Sequence, residues 1–146
     1  MPARYTVPFS DEFYPVAKIN PASYTTEQVT AWCAMADYRR AVLVLHVGAI
    51  AAGRQVNCRI EQAQDAGGLG QKVVTTKVID TLLDADDNAL VAIEIRDEEM
   101  DAANDFDYIC AKINPAGGAV ILSAILYLYE PRYAPVPLTN WNQYLR

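Results

Sequence analysis

The sequence predicts a mainly β fold, an antiparallel sandwich or barrel. Six or seven short apolar runs are separated by turns rich in Gly, Pro, Asn and Asp. Several runs alternate apolar and polar residues, as strands with one buried face do. At most one brief helical segment interrupts them, which disfavours the βαβ units of a parallel sheet. The 146 residues suffice for one core, which we expect to lie between two sheets.

The clearest strand is Ala89–Arg96, where branched apolar residues occupy every second position. The runs Arg40–Val47 and Gln55–Ile60 are also strands by composition. Because Gly48 and Gly53 bracket the short loop between them, the pattern predicts that these two strands form a hairpin.

The remaining segments are assigned in the same way. Thr25–Tyr38 fits a short helix or a strand, and its alternation favours the strand; Lys72–Leu83 is a strand or a strand that runs into a short helix. Phe106–Ile113 and Ala119–Tyr129 are the last strands. Asp65–Gly70, with three glycines in four positions, predicts an exposed loop.

Both ends of the chain are rich in proline and follow neither strand nor helix periodicity. Prolines stand at positions 2, 8, 15 and 21, and again at 131, 135 and 137. Proline removes a backbone donor and restricts the residue before it, so neither end is expected to make a central strand. We expect an N-terminal extended arm (1–23), a sandwich domain (24–130) and a C-terminal extension (131–146).

Aromatic residues on the two arms are the candidate interface. Rings on segments without sheet pairing are typical of a surface that grips a partner. The alternative is that both ends fold back over their own sandwich. The candidate residues are Tyr5, Phe9, Phe13, Tyr14, Tyr133, Trp141 and Tyr144.

The net charge of −6 argues against a nucleic-acid partner, because phosphate binding requires a basic face. The longest apolar run, Gly118–Tyr129, is shorter than the ~20 residues that span a bilayer. We therefore expect no nucleic-acid or membrane partner, a cytoplasm-like compartment for assembly, and a protein or small molecule as the partner.

Three cysteines, Cys33, Cys58 and Cys110, are widely spaced without a C-x-x-C motif. With one histidine in the chain, they predict no metal site. Buried reduced thiols are the simplest interpretation. A disulfide between neighbouring subunits is the alternative.

Two sets of residues could carry chemistry, and a plainer structural role is preferred for each. His46 lies in an apolar strand without a nucleophile motif beside it, so a partly buried histidine is expected rather than a triad. Asp84, Asp86 and Asn88 alternate like calcium ligands, but the sixth position is Ala89 and the twelfth Ile95; an Asx-type turn explains them.

An acidic run and a glycine-rich segment are two further candidates for chemistry. The run could supply paired carboxylates, but solvent exposure and complementarity to a basic partner surface are preferred. Gly67–Lys72 (GGLGQK) lacks phosphate-loop spacing. We predict no enzyme activity, no catalytic residues, no cofactor and no metal. The acidic residues are Asp97, Glu98, Glu99, Asp101, Asp105 and Asp107.

The order of motifs over residues 24–136 resembles a known family. The strings are WCAMADYRRAVLVLHVGAIAAG, QVNCRIEQAQDAGGLGQKVV, VAIEIRDEEMDAANDFDYICAKINPAGG and EPRYAPV. They resemble small virion proteins of tailed bacteriophages that are encoded beside the major capsid protein, similar to capsid cement (decoration) proteins.

The resemblance implies a jelly-roll-like β-sandwich on the outer surface of the capsid, assembled in the bacterial host cytoplasm. It implies binding to the major capsid protein and self-association, as a dimer or trimer. A head-completion or tail-associated protein is the first alternative. A small β-barrel that binds a ligand, or a hydrolase that uses His46 and the acidic run, is the second.

Overall fold

The computed structural model describes residues 8–133 and 136–144. A four-residue helix, α1 (Phe9–Glu12), precedes the first strand. Short 3-10 helices follow later at Asp84–Asp86, Asp97–Glu99 and Ala102–Asn104. The strands are β1 (Tyr14–Tyr24), β2 (Gln28–Val29), β3 (Cys33–Ala34), β4 (Tyr38–Val47), β5 (Gln55–Ala63), β6 (Lys72–Leu82), β7 (Leu90–Arg96), β8 (Tyr108–Ala116) and β9 (Val120–Pro131).

The strands form two antiparallel sheets packed face to face. Sheet A has the order β1-β9-β4-β7, and sheet B has the order β2-β8-β5-β6 with β3 also paired to β8. The prediction of a mainly β, antiparallel sandwich is confirmed. Every strand connection in the described chain, except those between β2 and β3 and between β5 and β6, passes from one sheet to the other.

The core lies between the sheets, where strand alternation sends every second side chain. On β4 every second side chain from Ala41 to Val47 is buried, and the side chains between them face outward. The largest side chains with under 2% exposure come from both sheets: Leu43, Leu45, Ile60, Ile95, Ile109, Ile113, Leu122, Leu126, Leu128, Val47, Val56 and Val74.

The predicted hairpin of β4 and β5 is wrong. β4 pairs with β7 and β9 in sheet A, whereas β5 pairs with β6 and β8 in sheet B. The loop over 48–54 crosses between the sheets because its Ile50 is 3% exposed and joins the core. The Ile50 amide donates to the Asp87 carboxylate at 2.6 Å, which anchors the crossing.

The N-terminal segment differs from the unpaired arm that its prolines suggest. Tyr14–Tyr24 forms β1, which pairs with β9 at the edge of sheet A. Its register shifts between Pro15 and Ala17 and again between Ile19 and Ala22. An edge position with bulges is where proline is tolerated, so the expectation that this segment avoids the sheet centre is confirmed.

The ambiguous segments resolve as short strands. Within Thr25–Tyr38 the two-residue strands β2 and β3 both pair with β8. Lys72–Leu82 is a strand, followed by a 3-10 turn. Most of the loop 65–70 is exposed, as predicted. Within the described ranges, no helix has the length and apolarity to cross a membrane.

Candidate functional site

The outward side chains of sheet A, here called outer face A, form rows across the strands. Val44 lies opposite Ile125 on one side and Ala92 on the other. The next row towards the loop 48–54 is Ser123, His46 and Leu90. Strand pairing therefore places residues distant in sequence side by side on one surface.

The rows nearest the loop 48–54 form an apolar, uncovered area, here called the bare half. Leu90 is 72% exposed, Ile121 is 55% exposed and Ile125 is 37% exposed. No outward position in these three rows carries a carboxylate. The first row is Ser23 and Ile121, the second is Ser123, His46 and Leu90, and the third is Lys18, Ile125, Val44 and Ala92. Because the chain has a net charge of −6, an acid-free apolar surface stands out as a candidate contact.

The other half of outer face A is covered by an aromatic cluster from both chain ends. The Phe9 and Phe13 rings stack at 4.4 Å, and Phe13 stacks on Tyr129 at 4.8 Å. Trp141 meets Phe9 edge-on, at 6.2 Å between ring centroids. Tyr127 contacts the Phe9 and Phe13 rings edge-on. Such ring pairs add stability beyond their buried area.

Polar groups on this face are concentrated at the end where β7 finishes. The Arg40 guanidinium donates to Glu94 at 3.0 Å and lies 3.3 Å from Glu130. The Tyr129 hydroxyl donates to the Glu94 carboxylate. Burial, together with this hydrogen bond, raises the pKa of Tyr129 to about 12. The same hydrogen bond is the main cause of the lowered pKa of Glu94.

A groove of about 530 Å³ lies between the C-terminal segment and the edge of sheet A. Pro15, Lys18, Ile125 and Trp141 line it. The Asn140 side-chain amide donates to the Pro15 carbonyl at 2.9 Å and ties the segment to β1. The Trp141 indole N–H is buried without a partner among the described residues.

The predicted interface residues do not share one surface. Phe9, Phe13 and Trp141 pack on their own sheet, as the fold-back alternative describes. Tyr14 stacks on Tyr38. Phe9, Tyr133 and Tyr144 remain 54%, 75% and 42% exposed. Tyr5 lies outside the described residues.

The structure separates His46 from the acidic run. His46 is exposed, not partly buried as expected, and pairs with Leu90 at one end of β7. The acidic run begins at Asp97, after the opposite end. Six residues of strand place the two about 20 Å apart along β7. The two features therefore share no site.

Most of the acidic run is engaged in ion pairs. Glu99 lies 3.0 Å from Lys77, and Asp101 pairs with Lys72. The Arg96 backbone amide donates to Glu99 and is the main cause of its lowered pKa. The pKa of Asp101 is lowered chiefly by its hydrogen bond with Lys72. Lowered pKa values do not suit a general acid.

The other sequence candidates have structural roles. Asp86 accepts the Leu83 amide at 2.9 Å in the turn after β6, in keeping with the turn interpretation. Among the described residues, no group of three or more potential ligands is placed to hold a metal ion. The three cysteines, Cys33, Cys58 and Cys110, are buried and form no disulfide within the chain, which confirms their expected burial. Burial raises their pKa values to about 11, 11 and 12.

Sequence reasoning missed the bare half, although β9 carried the signal for it. The run Gly118–Tyr129 is almost continuously apolar, which is typical of a strand with both faces covered. In a two-sheet sandwich only one face of β9 meets the core. Its outward residues, Ile121, Ile125 and Tyr127, therefore need another cover or remain exposed.

No protein-family model and no curated protein matches the chain.

Proposed function

We propose that the protein is a structural virion protein that binds the outside of a phage capsid and stabilises contacts between major capsid protein subunits. The observation that carries this proposal is the bare half of outer face A. Its exposed leucine and isoleucines lie on a rigid sheet beside an aromatic cluster. A rigid apolar surface loses little conformational entropy on binding.

The strand order supports a structural role. Counting β2 and β3 as one interrupted strand, we interpret the two four-stranded sheets, with six of the seven connections crossing between them, as jelly-roll-like. Jelly rolls recur in viral capsid domains. Fold alone does not assign function, so the proposal also draws on the resemblance in residues 24–136.

In this role the stabilisation of the shell would come from many copies, each contributing one interface. An interface of about 1,000–2,000 Å² for each copy is enough for specific binding. Many copies, associated as dimers or trimers between capsomers, would stabilise the shell through mass action and multivalency.

The test is a matched pair of charge insertions. Leu90→Asp places a carboxylate in the bare half, and Val78→Asp does so on sheet B, where Val78 is 52% exposed. We expect Leu90→Asp to abolish co-sedimentation with virions depleted of this protein, and Val78→Asp to bind like the unmodified chain. Equal binding by both variants would remove the bare half as the contact.

Copy number tests the virion role separately. Quantitative mass spectrometry of purified particles should find hundreds of copies for a cement protein. About a dozen copies would indicate a head-completion or tail-associated protein instead, and absence from particles would end the virion proposal.

A ligand-binding protein is the candidate from another class, and the groove beside Trp141 favours it. Its volume of about 530 Å³ falls within the range of small-molecule sites. A small molecule that co-purifies with the chain and is lost in Trp141→Ala would support this alternative. For a hydrolase, loss of turnover in His46→Ala is the corresponding test.

A further inference from the structure

A second pocket, of about 370 Å³, lies at the end of the sandwich that carries the acidic run. Its floor contains Met35, Met100 and Phe106, which are 2%, 7% and 7% exposed. Ala36 and Ala102 complete the apolar part of the lining. The floor is therefore a fixed apolar surface that belongs to, or packs against, the core.

The rim of this pocket is acidic. Asp97, Glu98 and Asp107 line it together with Arg132, and Glu98 also lies 3.3 Å from Arg96, outside the lining. Arg132 is occupied twice, because it pairs with Asp97 and donates to the Ala36 carbonyl at 2.9 Å. The Asp107 side chain makes no ion pair or hydrogen bond with any described residue. The Asp107 carboxylate is therefore the rim charge that no described cation pairs with, beside an apolar floor.

The molecule already holds one cation in a similar environment. The Lys72 ammonium lies 4.1 Å from the centroid of the Phe106 ring and pairs with the Asp101 carboxylate. An aromatic face and a carboxylate together bind an alkylammonium or guanidinium group. Phe106 and the exposed Asp107 both line the pocket, so an aromatic residue and a carboxylate also adjoin this site.

We infer that this pocket receives a lysine or arginine side chain from a partner protein. The aliphatic stem of such a residue packs on apolar surface while its charged head stays at the polar rim. The apolar floor and the acidic rim match these two parts. A Ca²⁺ or Mg²⁺ ion requires about six oxygen ligands, and among the described residues no group of three or more potential metal ligands occurs. The inference stands apart from the proposed virion role, since it concerns a different end of the molecule.

The three methionines of the chain make this site directly observable. With ¹³C-methyl-labelled methionine, Met35 and Met100 report on the pocket floor. The probe is N-acetyl-arginine methylamide, and its neutral isostere N-acetyl-citrulline methylamide is the matched control compound. We expect saturable shifts of the Met35 and Met100 signals with the arginine compound alone, with dissociation constants in the millimolar range.

Two variants sharpen the test. Asp107→Asn removes the unpaired rim charge and should weaken arginine binding about threefold, the scale of an exposed ion pair. Asp84→Asn, an exposed aspartate beyond the opposite end of β7, should leave binding unchanged. Ala102→Trp should fill the pocket and abolish the saturable shifts, with retained folding checked by thermal unfolding.

The inference is overturned by absent or unsaturable shifts, by equal shifts with the citrulline compound, or by equal weakening in Asp107→Asn and Asp84→Asn. None of these results depends on capsid binding. Failure here and failure of the bare half are therefore distinguishable.

Discussion

The two sheets of the sandwich share one core but have opposite outer surfaces. Outer face A is apolar over the bare half, with Leu90 72% exposed. The outward side of sheet B carries a compact ion network instead. There the Glu61 carboxylate lies 2.9 Å from Arg59 and 3.1 Å from Lys112, and Arg59 also reaches Glu27 at 3.2 Å.

Sheet B is also covered by its own chain. Trp32 lies against the loop 65–70, close enough to Gly68 that a Cβ there would come within 2.7 Å of the indole nitrogen. Lys112 donates to the Gln71 side chain at 2.9 Å. The outward charges on the inner strands β5 and β8 are thus paired within the chain, and the exposed valines of sheet B, Val29, Val73 and Val78, lie on its outer strands β2 and β6. The difference teaches that sheet B places paired charges across its middle, whereas the bare half of sheet A places exposed apolar residues in adjacent rows without a carboxylate.

The largest effect is expected at Glu61. Glu61→Ala leaves Arg59 and Lys112 without their shared carboxylate, and breaking such a buried pair should lower the free energy of unfolding by about 3 kcal/mol. Glu27→Ala removes the exposed partner of Arg59 and should cost less than about 1 kcal/mol. Urea unfolding measures both, and similar values would show that sheet B does not depend on its buried carboxylate.

Gly68→Ala should come next, at about 2 kcal/mol, because it adds a contact with Trp32 to the strain of a left-handed residue. The control is Gly53→Ala. Gly53 has a φ of +79°, like the +86° of Gly68, but a Cβ there meets nothing within 4 Å. The control should cost about 1 kcal/mol and leave tryptophan fluorescence unchanged. If the two costs were equal, Trp32 would not be fixed against the loop.

Tyr129→Phe tests the polar end of outer face A and should cost about 1 kcal/mol, the value of one hydrogen bond. Because the folded pKa of Tyr129 is raised to about 12, its contribution is fully present below the ordinary tyrosine pKa of about 10. The contribution is lost as the pH rises through the folded value. Unfolding measured from pH 7 upward should show the two proteins converging in alkaline solution. A constant difference up to pH 12 would contradict the assignment.

The smallest effect is expected in the bare half itself. Leu90→Ser should change the free energy of unfolding by no more than about 0.5 kcal/mol, as a surface substitution does. Val78→Ser on sheet B is the matched control. Thermal unfolding of both would check this, and a much larger loss for Leu90→Ser would mean that its own chain already covers the bare half.

Local pattern was enough to find the strands of the sandwich that follow β1, but not β1 itself. In β7 the alternation seen in the sequence is the alternation of burial, with Ile93 and Ile95 at 5% and 1% exposure. Backbone geometry alone sends successive side chains to opposite faces, so this feature needs no knowledge of partners. The exposed loop 65–70 followed from glycine content for the same local reason.

Local sequence pattern could not show which strands pair with each other. Glycines beside the loop 48–54 suggested a hairpin, yet β4 and β5 lie in different sheets because Ile50 is drawn into the core between them. The acidic run could be recognised in the sequence because its residues are close together, but the apolar floor of the pocket beside it could not. Met35 and Met100 meet there from segments 65 residues apart in sequence.

The hexapeptide AKINPA, which occurs at 17–22 and again at 111–116, separates what each level determines. Both copies are extended and bury their isoleucine, Ile19 at 7% and Ile113 at 0% exposure. The sequence by itself determines an extended chain for each, as an arm over 1–23 and as a strand over Phe106–Ile113. Only the tertiary structure decides that the first copy is a bulged edge of sheet A and the second an inner strand of sheet B. Side-chain alternation is a property of one strand, whereas hydrogen-bond partners and outer cover depend on contacts from the whole chain.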